Sequence, residues 1–142
     1  MNIEKFKHQH VDILSGIAEL RRLARLGITE HAHTIAARLV ALSSVVRLHL
    51  AVEDRVLYPA VESTGDEELR NMSRAYRGEM EGIANTYLRF VALWRTGAQI
   101  RNDPEGFRAA ANSALRQVHD RMQRENREFY PAIERLAVAT PP

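Results

Sequence analysis

Apolar positions recur along this chain in steps of three and four, and nowhere does a strand-like alternation persist. The first stripe is Phe6, His10, Ile13, Ile17, Leu20 and Ala24, in a segment of about Ile3 to Leu26. Gly27 can close it, because glycine tolerates the left-handed conformation after a helix end. Thr29 is then the expected N-cap of a second segment reaching about Glu62, with the stripe Ile35, Leu39, Leu42, Val46, His49, Glu53, Leu57 and Ala60. Ser63 to Asp66 break the chain. A third segment, from about Glu67 to Thr96, carries Leu69, Met72, Tyr76, Met80, Ile83, Tyr87, Phe90 and Trp94 on one face. Asp103, Pro104 and Glu105 supply a cap, a first-turn proline and an acid suited to the helix dipole. The fourth stripe follows as Phe107, Ala111, Ala114, Val118, then Arg121 or Met122, then Glu125 and Phe129.

Four amphipathic helices joined by short links cannot each bury a stripe alone. Packing them against one another predicts an all-α, antiparallel up-down-up-down four-helix bundle over residues 1–138, with 139–142 as a frayed tail. The link Gly97 to Asn102 is longer than a tight turn but requires no crossover. Pro59 and Pro131 fall near helix ends, where a kink costs least.

Composition narrows the function classes. A chain of 142 residues with 45% hydrophobic and 27% charged residues is expected to form one globular domain. The formal charge of +2, with Lys and Arg scattered among Asp and Glu, argues against nucleic acid as a partner. The absence of cysteine removes disulfides, thiolate metal sites and thiol nucleophiles. The start lacks a signal-like apolar core and no run approaches the ~18–20 apolar residues of a membrane span, so a cytoplasmic protein with no membrane partner is expected.

The exception to the apolar stripes is chemical. His49 and Glu53 stand four residues apart, about 40° apart around a helix, inside the second core stripe. The stretch HLAVEDRVLYPAVE from His49 overlays RMQRENREFYPAIE from Arg121, matching Glu53 with Glu125, Tyr58 with Tyr130 and Pro59 with Pro131. In that overlay Arg121 takes the place of His49. In an antiparallel bundle His10, His49, Glu53 and Glu125 fall in the same half and can converge. Imidazole nitrogens and carboxylate oxygens in a dry interior suit iron, manganese or zinc.

Alternatives stand beside this. A single histidine in a stripe is usually a satisfied core residue, and a metal-free cluster in which Arg121 neutralises Glu53 and Glu125 would also serve two buried carboxylates. His8, His31 and His33 are expected in solvent. His119 is six residues from Glu125, a rotation of about 240°, so it joins the site only if the helix is locally overwound or bulged. Glu79 is near enough to the third stripe to swing inward, and Glu81 is not. The Met and aromatic stripe of the third helix reads as core.

Together HQHVDIL, HLAVEDRVLYP, EMEGI and RENREFYP resemble the hemerythrin-like, cation-binding four-helix domains over nearly the whole chain. The HxxxE followed by an aromatic-proline pair is the most specific element. The resemblance implies a non-haem di-iron centre held by histidines from all four helices and two bridging carboxylates. It also implies roles in binding or sensing oxygen, nitric oxide or iron, or in iron–sulfur cluster repair. Residue by residue, His10 matches the first-helix ligand, His49 and Glu53 the second-helix pair, and Glu125 the fourth-helix carboxylate. Met80 stands where the third helix usually carries a histidine, and Asp120 and Arg121 stand where the fourth does. Met is a poor ligand for hard iron and Arg cannot bind metal.

The expected protein is therefore a binding or sensory module with a reduced site, holding at most one iron or zinc ion. The rival readings are a metal-free interaction module and, with an incomplete ligand set, a di-iron oxygenase or repair enzyme. Leu23, Leu26, Val40, Val45 and Val56 lie off the core stripes and raise the expectation of a homodimer.

Overall fold

The computed structural model describes residues 2–139; of the expected tail 139–142, Ala139 ends the last helix and Thr140 to Pro142 lie outside the described residues. The described residues are helical throughout, with short links and no strand. In chain order the helices are α1 (Glu4–Gly27), α2 (Ala32–Val52), α3 (Tyr58–Glu62), α4 (Glu67–Leu93), α5 (Gly97–Asn102), α6 (Pro104–Arg124) and α7 (Tyr130–Ala139). Two π-helical turns, Glu53–Leu57 and Glu125–Phe129, join α2 to α3 and α6 to α7 without a break.

Local chemistry sets most of these ends. Gly27 closes α1 at φ 140°, a conformation that would strain a residue with a Cβ. Asp66 caps α4 by accepting from the Leu69 amide at 2.7 Å, and Asp103 caps α6 by accepting from Gly106 at 2.9 Å. The second helix differs from expectation: it starts at Ala32 after a helical turn, and His31 rather than Thr29 precedes it, without a side-chain cap. The link after α4 also differs, because Thr96 and Gln99 form a reciprocal capping box that starts α5. α5 packs on α2 and buries Ile100 completely.

α1 packs on α2 and α6, while α4 packs on α2, α3 and α6. The continuous run Ala32–Glu62 is long and apolar enough by composition to cross a membrane, contrary to the reading of the sequence. Its apolar residues Ile35, Leu39, Val46 and Leu57 are fully buried among the other helices, which accounts for that composition. Leu23 is buried and Val45 packs against the core, so they leave the set of surplus apolar residues, whereas Leu26 and Val56 remain exposed.

The π-helical turns shift the buried stripe. Tyr58 and Tyr130 donate their amides to Glu53 and Glu125, five residues back instead of four. A proline follows each tyrosine, and a proline ring crowds the carbonyl four residues earlier in an α-helix. The wider turn relieves that crowding. Downstream of it the core face is Leu57, Tyr58 and Val61, with Ala60 only partly buried. Phe129, Tyr130 and Ile133 repeat the pattern.

Candidate metal centre

The apolar core is split in two. Ile13, Val46, Tyr87, Val118 and Met122 belong to one cluster, and Phe6, Leu57, Tyr76, Phe129 and Tyr130 to the other. On α1, α2 and α6 and at the start of the two π-helical turns, the residues between these clusters are His10, His49, Glu53, Arg121 and Glu125, none more than 2% exposed. A polar layer thus crosses the middle of the interior. One α-helical turn brings His49 above Glu53, and the matching turn brings Arg121 above Glu125.

His10, His49 and Glu125 offer ligand atoms that all lie within 4.8 Å of one another. His10 Nε2 is 3.0 Å from His49 Nε2 and 3.0 Å from Glu125 Oε1. Glu53 reaches the cluster through His49, its Oε1 lying 2.9 Å from His49 Nε2. The outer ring nitrogens are tied down: His10 Nδ1–H donates to Asn126 Oδ1 at 2.7 Å, and His49 Nδ1–H to Gln9 Oε1 at 2.7 Å. Those amide oxygens select the tautomer in which both Nε2 atoms present lone pairs inward. Tyr130 donates its hydroxyl to His10 Nε2 at 2.9 Å.

The interior of the layer is consequently rich in acceptors. Both oxygens of Glu53 and Oε2 of Glu125 are buried without a hydrogen-bond partner. Burial, then the charge of Glu125, pushes the Glu53 carboxyl well above the usual carboxylate range, with Arg121 opposing. Burial acts on Glu125 in the same sense, but its contacts with Glu53, His10 and His49 and the Arg121 charge outweigh it and hold that carboxyl low. The two carboxyls are therefore pushed in opposite directions and titrate as a pair. Burial, with the charges of Glu53 and Glu125, raises Tyr130 and keeps its hydroxyl a donor.

Arg121 lies where the stripe placed it, in the core. Its Nε is 3.6 Å from Glu125 Oε2, its Nη2 donates to Tyr58 Oη at 2.5 Å, and its guanidinium sits 4.6 Å from the centre of the Tyr76 ring. Its Nε and Nη1 have no hydrogen-bond partner. The expected pairing of Arg121 with both carboxylates reduces to a contact with Glu125; toward Glu53 it acts only through space. Met80 packs with Tyr76 and Phe129 in the second apolar cluster.

The two further candidate ligands are not brought to the site. Glu79 is bound to Arg124 at 2.7 Å on the exposed side of α4. His119 lies against Asp120 at 3.4 Å, because the π-helical turn begins only at Glu125 and leaves the six-residue rotation between them unchanged. Conversely, the reading of the stripes passed over Gln9, Asn126, Tyr58 and Tyr130. The tyrosines had a signal in the Tyr-Pro pair at the same spacing after Glu53 and Glu125. Gln9 and Asn126 had none beyond adjacency to His10 and Glu125.

The two imidazole nitrogens of His10 and His49 and the Glu125 carboxylate could hold a metal ion, and the unpartnered carboxylate oxygens beside them suit one. Fold and site together define a helical protein with an internal candidate His/Glu cation site. The model of the hemerythrin HHE cation-binding domain matches residues 1–133, and the chain belongs to that family. No curated protein and no solved structure matches the chain.

Proposed function

We propose that this chain is a single-ion metal-binding module with a sensory role, built as an antiparallel up-down-up-down bundle of four helical runs. The short links between the runs, and the packing of α1 and α4 on both α2 and α6, support that topology. One observation carries the metal reading. Two histidine lone pairs and the Glu125 carboxylate converge in a buried interior, with Glu53 against His49, and a cation there would meet carboxylate oxygens that have no hydrogen-bond donor. His10, His49 and Glu125 would hold the ion, with Glu53 completing the set and Gln9 and Asn126 orienting the imidazoles. An iron ion there would supply a redox-active Lewis acid, and zinc a redox-inert one.

A second reading has its own support. Arg121 already places a cation beside Glu125, and a proton on Glu53 balances the rest, so the layer can also persist as a metal-free ion cluster. Thermal unfolding after chelation, with iron(II) or zinc added back, separates the two. Metal at a hundred times its Kd will stabilise a single-site protein by about 2.7 kcal/mol. The raised Glu53 carboxyl must lose its proton to bind, so the effect will weaken as pH falls. Unchanged unfolding with either metal establishes the ion cluster. A two-metal stoichiometry with an oxo-bridged spectrum overturns the single-ion site.

A further inference from the structure

Folding undoes the even scatter of positive charge seen along the sequence. Where α1 meets α6, at the end of the helices remote from the polar layer, a groove of about 380 Å³ opens between them. Its floor is apolar, made by Leu20, Phe107 and Leu115, and it exists because small side chains, Ala24 and Ala111, stand where larger ones would close the helix seam. Arg21 and Arg25 line one wall and Arg108 and Arg116 the other. Among the described residues, Arg21, Arg25 and Arg116 have no carboxylate at ion-pair distance. Glu19 is held by Arg22, and Arg108 meets only the exposed Glu105 at 3.5 Å. Leu20 lies about 15 Å along α1 from His10, so this is a separate place on the protein.

We propose that this groove binds a small anionic amphiphile, a medium-chain carboxylate whose chain lies on the apolar floor and whose head is held by the paired arginine walls. The volume is that of a small-molecule site. The charge complementarity is specific: guanidinium groups on both walls bind carboxylate through paired N–H donors, while their stems extend the apolar surface beneath. A neutral chain would satisfy the floor and leave the arginines unused. A bare anion would do the opposite. The inference does not depend on the metal reading.

The single tryptophan, Trp94, provides the probe, because it lies edge-on to Phe107 with ring centroids 5.8 Å apart. Decanoate titrated into the full chain, followed by Trp94 fluorescence and calorimetry, will bind saturably and independently of chelator. Decanol and inorganic phosphate will each bind at least about tenfold more weakly, the worth of one charge-assisted contact. Arg21→Gln with Arg116→Gln, both exposed positions outside the core, will weaken decanoate by a similar factor and leave decanol unchanged. Ala111→Leu will fill the groove and abolish both. Decanol binding as tightly as decanoate, phosphate binding as tightly as decanoate, or decanoate indifferent to the arginine pair would each overturn the proposal.

Discussion

Arg121→Met will remove about 3–5 kcal/mol of stability from the chelated protein, the usual cost of taking one partner from a buried ion pair. Against the ~5–15 kcal/mol that holds a typical domain together, this is a large loss. Methionine keeps the volume beside Tyr76 but leaves Glu125 charged, buried and without its cation. Urea unfolding of both proteins in chelator measures the difference. The deficit should shrink in acid. Glu125 has a lowered carboxyl, so its stabilisation is present above the ordinary carboxylate range and fades as pH falls through its folded value. A protonated Glu125 needs no counter-charge, and the variant then has less to lose. Added zinc should restore more stability to the variant than to the natural chain, because the ion replaces the missing cation. A loss below about 1 kcal/mol, the range of an exposed pair, would show that Arg121 is not the counter-charge of Glu125.

Met80→His combined with Arg121→His will enable the chain to take up a second metal ion. The geometry of the natural pair supports this: His49 and Glu53, four residues apart, touch at 2.9 Å, and Arg121 and Glu125 occupy the same relation where α6 runs into its π-helical turn, at 3.6 Å. A histidine at residue 121 would copy the first pair, and one at residue 80 would present a nitrogen where a thioether packs now. Removing the guanidinium also removes a charge that repels a second cation by several kcal/mol at short range in a dry interior. Metal analysis after iron loading, with visible absorption to detect a bridged pair, gives the result. Unchanged iron content would show that helix α4 does not bring residue 80 within reach of the polar layer.

The stripes foretold the long helices and the centre of each buried face upstream of the two prolines, because an amphipathic helix repeats with a fixed period. The faces are wider than the stripes, however: Leu23, Ala36, Val91 and Leu115 are buried beside them, while Ala24, Trp94 and Ala111 are only partly buried. The shared burial of His10, His49, Glu53 and Glu125 was legible from the same period, since all four sit in their stripes. What failed was the assumption that the period continues to the helix end. Ala60 was expected inside and Val61 is the buried residue, because the π-helical turn intervenes. Hydrogen-bonding neighbours such as Gln9 and Asn126 were illegible for a different reason. Both lie beside the stripe, and only the direction of a neighbouring imidazole brings them into use.

The π-helical turns also change what chain length means in this protein. In α1 or α4, losing one residue would swing everything downstream by about 100° and turn the core face outward. Between Glu53 and Leu57 the count is one residue longer than a plain helix requires. Without the exposed Val56, the residues Glu53, Leu57, Tyr58 and Val61 would stand at i, i+3, i+4 and i+7, the stripe of an unbroken α-helix. Glu128 holds the same position between Glu125 and Phe129. Glu128 is tied to the Tyr76 hydroxyl at 2.9 Å, but Glu53 is followed by one spare link, a place where the helix can shorten by a residue and still present the same face to the interior.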